Sequence, residues 1–316
     1  MALCRGLLRL LSYGLLISSI LIMLPYYGWD ISQQLRAKKM LQVQEERKQV
    51  MRDFCENEKK LHLEYLRSSM LQNFIVDDAH GLIYCSIPKV ASSNLKRLMF
   101  ILGKGEPFDD PRQITGYIHN KLPLLSMFSR TEIKAKLKHY TKFMFVRDPF
   151  VRLISAYRDK FGRQNEPFYK THGQNILRLY GNVTRLPRTM DQAFALGIHI
   201  TFYNFIQYLV DPLTEKRVPF EPHWRQMHRL CHPCLIQYDF IGHQETLQED
   251  VEHLLNILKV PSNIQIPSSY HNLTFTDSVE SFFQTVPLKD RIKLYKLYES
   301  DFKVFGYRMP DELLKE

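Results

Sequence analysis

Several signatures are missing from this chain of 316 residues. It carries no Gly-x-x-x-x-Gly-Lys-[Ser/Thr] loop and no protein-kinase motif set, which excludes a P-loop nucleotidase and weighs against a kinase using ATP. No internal repeat, low-complexity tract or sustained heptad is present. Cysteine is scarce, at five residues, with one C-x-x-C pair, Cys231-His232-Pro233-Cys234. No second pair follows at zinc spacing, so no metal is expected. Acidic residues are outnumbered, 33 against 43 Lys and Arg, for a net charge of +10. An anionic partner is therefore favoured, and nucleic acid, acidic lipid, acidic glycan and nucleotide all satisfy that preference.

The N-terminus holds a long uncharged run, Leu10 to Trp29. It has the roughly 20 residues that a bilayer-spanning helix requires. Arg5 and Arg9 precede it, and Tyr26, Tyr27 and Trp29 stand where an aromatic belt would lie. With no small-x-small cleavage site before Asp30, the run reads as a signal anchor rather than a removed peptide. Arg36, Lys38 and Lys39 on the far side leave orientation undecided by charge. The sequons Asn182-Val183-Thr184 and Asn272-Leu273-Thr274 favour a lumenal C-terminal part. The expected organisation is a cytosolic tail over 1–9, the membrane helix over 10–29, a stem over 30–73 and a globular domain over 74–316. In the stem Met40, Val43, Met51, Phe54, Leu61 and Leu66 recur at loosely helical spacing. In an oxidising lumen Cys55, Cys85, Cys231 and Cys234 form disulfides, with their pairing left open.

In the globular part, apolar Leu82 to Ile87 reads as a strand and Pro88 to Asn94 as a small-residue loop. Leu95, Leu98, Met99 and Leu102 recur at i, i+3, i+4 and i+7, so a helix follows and stops near Gly103. Lys142 to Val146 is a second strand. After Arg147, Asp148 is an N-cap and Pro149 the first residue of a helix to about Phe161. Tyr238 to Ile241 is a third strand, with a helix through Leu254 and Leu258. This alternation predicts an α/β fold, a parallel sheet flanked by helices, whose ligands bind beyond the carboxyl ends of the strands.

Two segments carry candidate chemistry. In Pro88 to Asn94 the small residues let backbone N–H groups approach an anion, the next helix presents its positive end, and Lys89 adds a mobile charge. Arg147 ends a buried strand, where its planar fork suits a phosphate, and Ser155 offers a hydroxyl two turns into the helix. The plainer readings are a strand-to-helix turn with a surface lysine, an Arg147 paired with Asp148 or Asp159, and a Ser155 that only packs.

IPKVASSNLKRLMF and KFMFVRDPFVRLISAYRDKF, at this spacing, resemble the 5′-phosphosulfate and 3′-phosphate loops of the HNK-1 family of carbohydrate sulfotransferases. The resemblance continues through FIQYLVDPLTEK, PFEPHWRQMHRLCHPC, YDFIGHQETLQED and LYKLYESDFKVFGY, and so covers about Val76 to Tyr307. Ser92-Ser93 stands where relatives commonly have Cys-Thr, and Leu95 where many have Trp. The resemblance implies a donor, 3′-phosphoadenylyl sulfate (PAPS), bound by two loops. Pro88, Lys89, Val90, Ala91, Ser92, Ser93 and Asn94 would cradle its 5′-phosphosulfate. Arg147, Asp148, Pro149, Phe150, Val151, Arg152, Leu153, Ile154 and Ser155 would hold its 3′-phosphate. Lys89 would stabilise charge on the leaving phosphate.

It further implies a Golgi membrane enzyme with a lumenal catalytic domain, an anionic glycosaminoglycan acceptor and no nucleic-acid partner. Chondroitin, sulfated at the 4-hydroxyl of N-acetylgalactosamine, is the acceptor favoured here. Dermatan, terminal N-acetylgalactosamine of N-glycans and glucuronic acid are acceptors within the same family. A base must take the proton of the attacking hydroxyl, and histidine is the natural choice. His119, in YIHNKLPLL, and His223, in PFEPHWRQ, are the candidates. Glu245 either orients a lysine or acceptor or is simply solvated. A glycan-binding scaffold is the non-enzymatic alternative, with Lys89, Arg147 and Ser155 all retained against it.

Overall fold

The computed structural model describes residues 31–58, 63–104, 114, 118, 122–260 and 276–315. The apolar run over 10–29, His119 and Asn272 lie outside the described residues. Among the described residues no helix is long and apolar enough to cross a membrane. The chain divides into two compact units, Met1–Glu46 and Arg47–Glu316. In the first, residues 31–46 are helical.

The second unit opens with helix α1 (residues 47–56). Arg47 Nη1 donates to Asp250 Oδ1 at 2.7 Å and to the Ile241 carbonyl at 2.8 Å, Met51 is buried, and Cys55 is bonded to Cys234. The compact unit therefore starts well before Phe74, where sequence patterning places the start of the globular part. The ties that recruit α1 run to partners almost two hundred residues away, which local spacing does not reveal.

The sheet has the order β1 (Phe74–Asp77), β2 (Leu82–Cys85), β3 (Thr141–Val146), β4 (Phe240–His243). β2 and β3 run parallel with Leu82 opposite Thr141, and β3 and β4 run parallel with Phe143 opposite Phe240. All three expected strands are present, buried almost throughout, as parallel strands covered on both faces must be. β1 pairs antiparallel with β2, Phe74 opposite Cys85, through a turn in which Gly81 takes φ +61°. Its four residues carry no alternation that would mark them as a strand. Gly242 of β4 lies so close under the Phe145 ring that a Cβ there would collide with it.

Helix α2 (Ser92–Lys104) begins three residues before its apolar stripe, inside the small-residue loop. α3 (Arg130–His139) starts with a capping box between Ser129 and Glu132. α4 (Pro149–Lys160) is capped by Asp148, whose carboxylate accepts from the N–H groups of Phe150 and Val151, both at 2.9 Å. α5 (Phe202–Val210), α6 (Leu247–Ile257) and α7 (Leu288–Val304) complete the frame. One apolar cluster gathers the strands with α2 and α6; a second gathers α4, α5 and α7 around Trp224, which is fully buried. α4 thus has one flank in a core and another, with Ser155, Arg158, Asp159 and Lys160, along a cleft.

The pairing left open resolves to Cys55–Cys234 and Cys85–Cys231, so the C-x-x-C pair is neither a dithiol nor a metal half-site. Cys85–Cys231 joins residues 146 apart and closes β2 onto the segment before β4. Replacing both Cys85 and Cys231 by alanine should cost about 2–5 kcal/mol of stability. Thermal unfolding against wild type under non-reducing conditions measures it, and an unchanged midpoint would deny the bond its role.

Candidate active site

β2 and β3 deliver their loops side by side at the sheet's carboxyl edge, beside a cleft of about 1110 Å³. Pro88, Lys89, Ala91, Ser92, Ser93 and Asn94 line it from the first loop, and Arg147 and Ser155 from the second. His223 lines it too. These residues, read separately along the chain, occupy one space. The others turn away: Val90 is buried at 0% exposure, Asp148 caps α4, and Pro149, Phe150, Leu153 and Ile154 are buried.

The first loop achieves its shape without glycine. Lys89 has φ +70° and Ala91 φ +50°, left-handed conformations that cost non-glycine residues about 1–3 kcal/mol each. Such alternation turns successive N–H groups towards one side, the geometry of an anion nest. The N–H groups of Asn94 and Leu95 donate to the Ala91 carbonyl at 2.9 and 3.1 Å, and those of Ser92 and Ser93 stand at the positive end of α2.

Lys89 Nζ lies 3.1 Å from Asp159 Oδ2, and Lys160 Nζ reaches the same oxygen at 3.1 Å. Burial lowers the Lys89 pKa and Asp159 opposes that shift. Asp159 therefore serves the two lysines rather than Arg147. Arg147 donates from Nη1 to the Lys89 carbonyl at 3.3 Å, and burial is the main influence lowering its pKa. Burial also lifts Asp148 to about 6, against its two cap hydrogen bonds. Glu245 is not simply solvated. Its carboxylate accepts from the Asp148 backbone N–H at 3.0 Å and the Tyr307 hydroxyl at 2.9 Å, holding the β3–α4 turn.

His223 sits in a short connection between Phe220 and Trp224, both buried. Its Nδ1 lies 2.8 Å from both Glu221 oxygens, and its backbone N–H donates to Glu221 Oε2 at 2.7 Å. With Nδ1 donating to the carboxylate, Nε2 is left as the acceptor. Burial lowers the His223 pKa, and Glu221 works against that shift. Tyr298 donates to the Trp224 carbonyl, and Asp301 of α7 accepts from the N–H groups of Met227 and His228. Sequence reasoning missed Glu221, although its position two residues before the histidine was visible. It also missed Lys96, Arg97, Arg158 and Arg163, which add positive charge to the lining.

Asn182 is exposed, at φ +50°, so its sequon is accessible. Among the described residues no cluster of His, Cys, Asp and Glu could hold a metal ion.

The molecule is thus an α/β protein whose parallel strands open onto a cleft lined by lysine and arginine. It belongs to the sulfotransferase family, whose pattern matches residues 72–308. It is 46% identical over 311 residues to carbohydrate sulfotransferase 12 of Mus musculus, covering 92% of this chain and 74% of that protein. The Xenopus laevis carbohydrate sulfotransferase 12 is 45% identical over 312 residues, with 91% and 74% covered. Carbohydrate sulfotransferase 11 of Rattus norvegicus is 38% identical over 248 residues, with 77% and 69% covered. No solved structure matches the chain.

Proposed function

We propose that this protein transfers the sulfuryl group of PAPS to the 4-hydroxyl of N-acetylgalactosamine in a chondroitin-type glycosaminoglycan. The observation that carries the reading is the convergence of the Lys89 loop, Arg147, Ser155 and His223 on one cleft. The relatives' names support a carbohydrate acceptor. The donor supplies an activated sulfuryl group on a bisphosphate leaving group. Arg147 and Ser155 hold its 3′-phosphate, and the N–H groups of the Pro88–Asn94 loop hold its 5′ side. His223 Nε2 takes the proton of the sugar hydroxyl as the oxygen attacks sulfur. Lys89 stabilises the charge gathering on the 5′-phosphate as its bond to sulfur breaks, and adenosine 3′,5′-bisphosphate leaves. Positioning and electrostatic stabilisation do the work, as in phosphoryl transfer.

The 10–29 run and the two sequons support a type II Golgi membrane protein with the cleft in the lumen. The test is label transfer from PAPS to unsulfated chondroitin by the full-length chain in detergent, with disaccharide analysis of the product. Label at the 4-position of N-acetylgalactosamine is expected. Label appearing only on dermatan or on N-glycan acceptors would overturn the acceptor, and absence of PAPS binding would overturn the enzyme.

Arg147→Ala should act on donor affinity first. A hydrogen bond to a charged group contributes about 1.5–3 kcal/mol, so the Kd for adenosine 3′,5′-bisphosphate should rise roughly tenfold to a hundredfold. Calorimetric titration checks this, and intact affinity would remove Arg147 from the phosphate site.

A further inference from the structure

We propose that Arg152 is the positioning residue that sets the donor loop and the His223 segment at one fixed separation. The inference rests on the sulfotransferase reading above. Arg152 lies between Arg147 and Ser155 on the segment that resembles a 3′-phosphate loop, yet it is 1% exposed and takes no part in the cleft lining. Its guanidinium turns inward to three backbone carbonyls. Nε donates to Pro88 at 3.0 Å, Nη1 to Arg225 at 2.8 Å and Nη2 to Pro222 at 2.7 Å. The first carbonyl belongs to the donor loop, and the other two bracket His223 and Trp224. A cation buried among neutral carbonyls is costly to keep, and a plain packing position would be served by an apolar side chain. Arginine suits the place because its planar fork presents five donors in fixed directions, whereas lysine offers a single nitrogen.

The consequence for the donor loop follows from the planarity of the peptide bond. In a trans peptide the N–H points opposite to the carbonyl. Capturing the Pro88 carbonyl from the buried side turns the Lys89 N–H towards the cleft. The next carbonyl, that of Lys89, accepts from Arg147 Nη1 at 3.3 Å, a second tie on the same loop. The left-handed conformations at Lys89 and Ala91 persist because these hydrogen bonds over-determine them. At its other end Arg152 holds the two carbonyls that flank the histidine. One side chain thus links the groups that meet the leaving phosphate to the group that meets the attacking hydroxyl.

The test uses Arg152→Lys and Arg152→Gln in the full-length enzyme, alone and combined with Lys89→Ala. Wild-type transfer is measured first. Its absence overturns the sulfotransferase reading and this inference with it; an active wild type beside an unaffected Arg152→Lys overturns this inference alone. A misplacement of reacting groups by about 1 Å is worth roughly a hundredfold in rate, so kcat of Arg152→Lys should fall by about that factor. The Kd for adenosine 3′,5′-bisphosphate, which has no sulfuryl group, should change less than about threefold while Arg147 and Ser155 remain in place. In the Lys89→Ala background the same substitution should cost much less, because the two act through one geometry. Equal costs in both backgrounds, or parallel losses of kcat and bisphosphate affinity, would overturn the assignment. Failure of both variants to fold would also overturn it, leaving Arg152 as a stability residue.

Discussion

Replacing Lys89 by alanine should leave a folded protein that binds its donor and turns over about a hundred to a thousand times more slowly. That range is the loss typical of removing one preorganised group aimed at developing charge, roughly 2.7–4 kcal/mol. Several features make the substitution clean. Lys89 is held at φ +70°, where alanine meets the same backbone cost, and its side chain lines the cleft instead of filling a core. Its ion-pair partner Asp159 keeps Lys160 at 3.1 Å, so no carboxylate is stranded. Lys160 also limits the loss, since a second cation remains near the leaving phosphate. Single-turnover kinetics should carry the effect, while calorimetry with adenosine 3′,5′-bisphosphate should show a modest change. An unchanged kcat would remove Lys89 from the chemistry.

A loss as large or larger is expected at His223. His223→Gln removes the acceptor nitrogen for the hydroxyl proton, and a positioned general base contributes about a hundred- to ten-thousandfold. The pH profile adds a check that a packing role would not produce. Burial holds the His223 pKa below the usual histidine value, so the imidazole stays neutral and competent through mildly acidic pH. The acid limb of kcat/KM should therefore fall below about pH 6.5, the ordinary histidine value. Glu221 opposes that shift by favouring the protonated ring. Glu221→Gln should then move the limb further towards acid while lowering the plateau, because the carboxylate also selects the tautomer. A limb that does not move would separate His223 from the base. The same rate comparison with His119→Ala decides between the two candidate histidines; a large loss there with an active His223→Gln would transfer the role to His119.

Local grammar made much of this site legible. Asp148-Pro149 announces the start of α4, and the cap is made as the residue types require, by two N–H groups at 2.9 Å. β2 and the Phe143–Val146 part of β3 are continuous apolar runs because both faces of a parallel sheet are covered. Two strand–loop–helix units in register then bring Pro88 to Asn94 next to Arg147 and Ser155. Other features resisted. β1 is a four-residue strand whose identity depends on pairing with β2. α1 joins the domain through Arg47 and Cys55, each with a partner far along the chain. Asp159, read as a candidate partner of Arg147, pairs with Lys89 instead, since helix rotation decides which basic group it meets.

What the sequence determined by itself is what short-range physics controls. It specified the strand–loop–helix units, the caps, the small-residue loop and the inventory of lysine, arginine, serine and histidine that lines the cleft. Tertiary structure alone decided that His223 meets Glu221 beside the cleft, which cysteines pair, and that Arg152 faces inward while Arg147 and Ser155 line the cleft. Those outcomes depend on which distant surfaces bury each other, and on where three carbonyls from separate segments converge. No window of neighbouring residues contains that geometry, because it exists only once the β2, β3 and His223 segments have packed around α4.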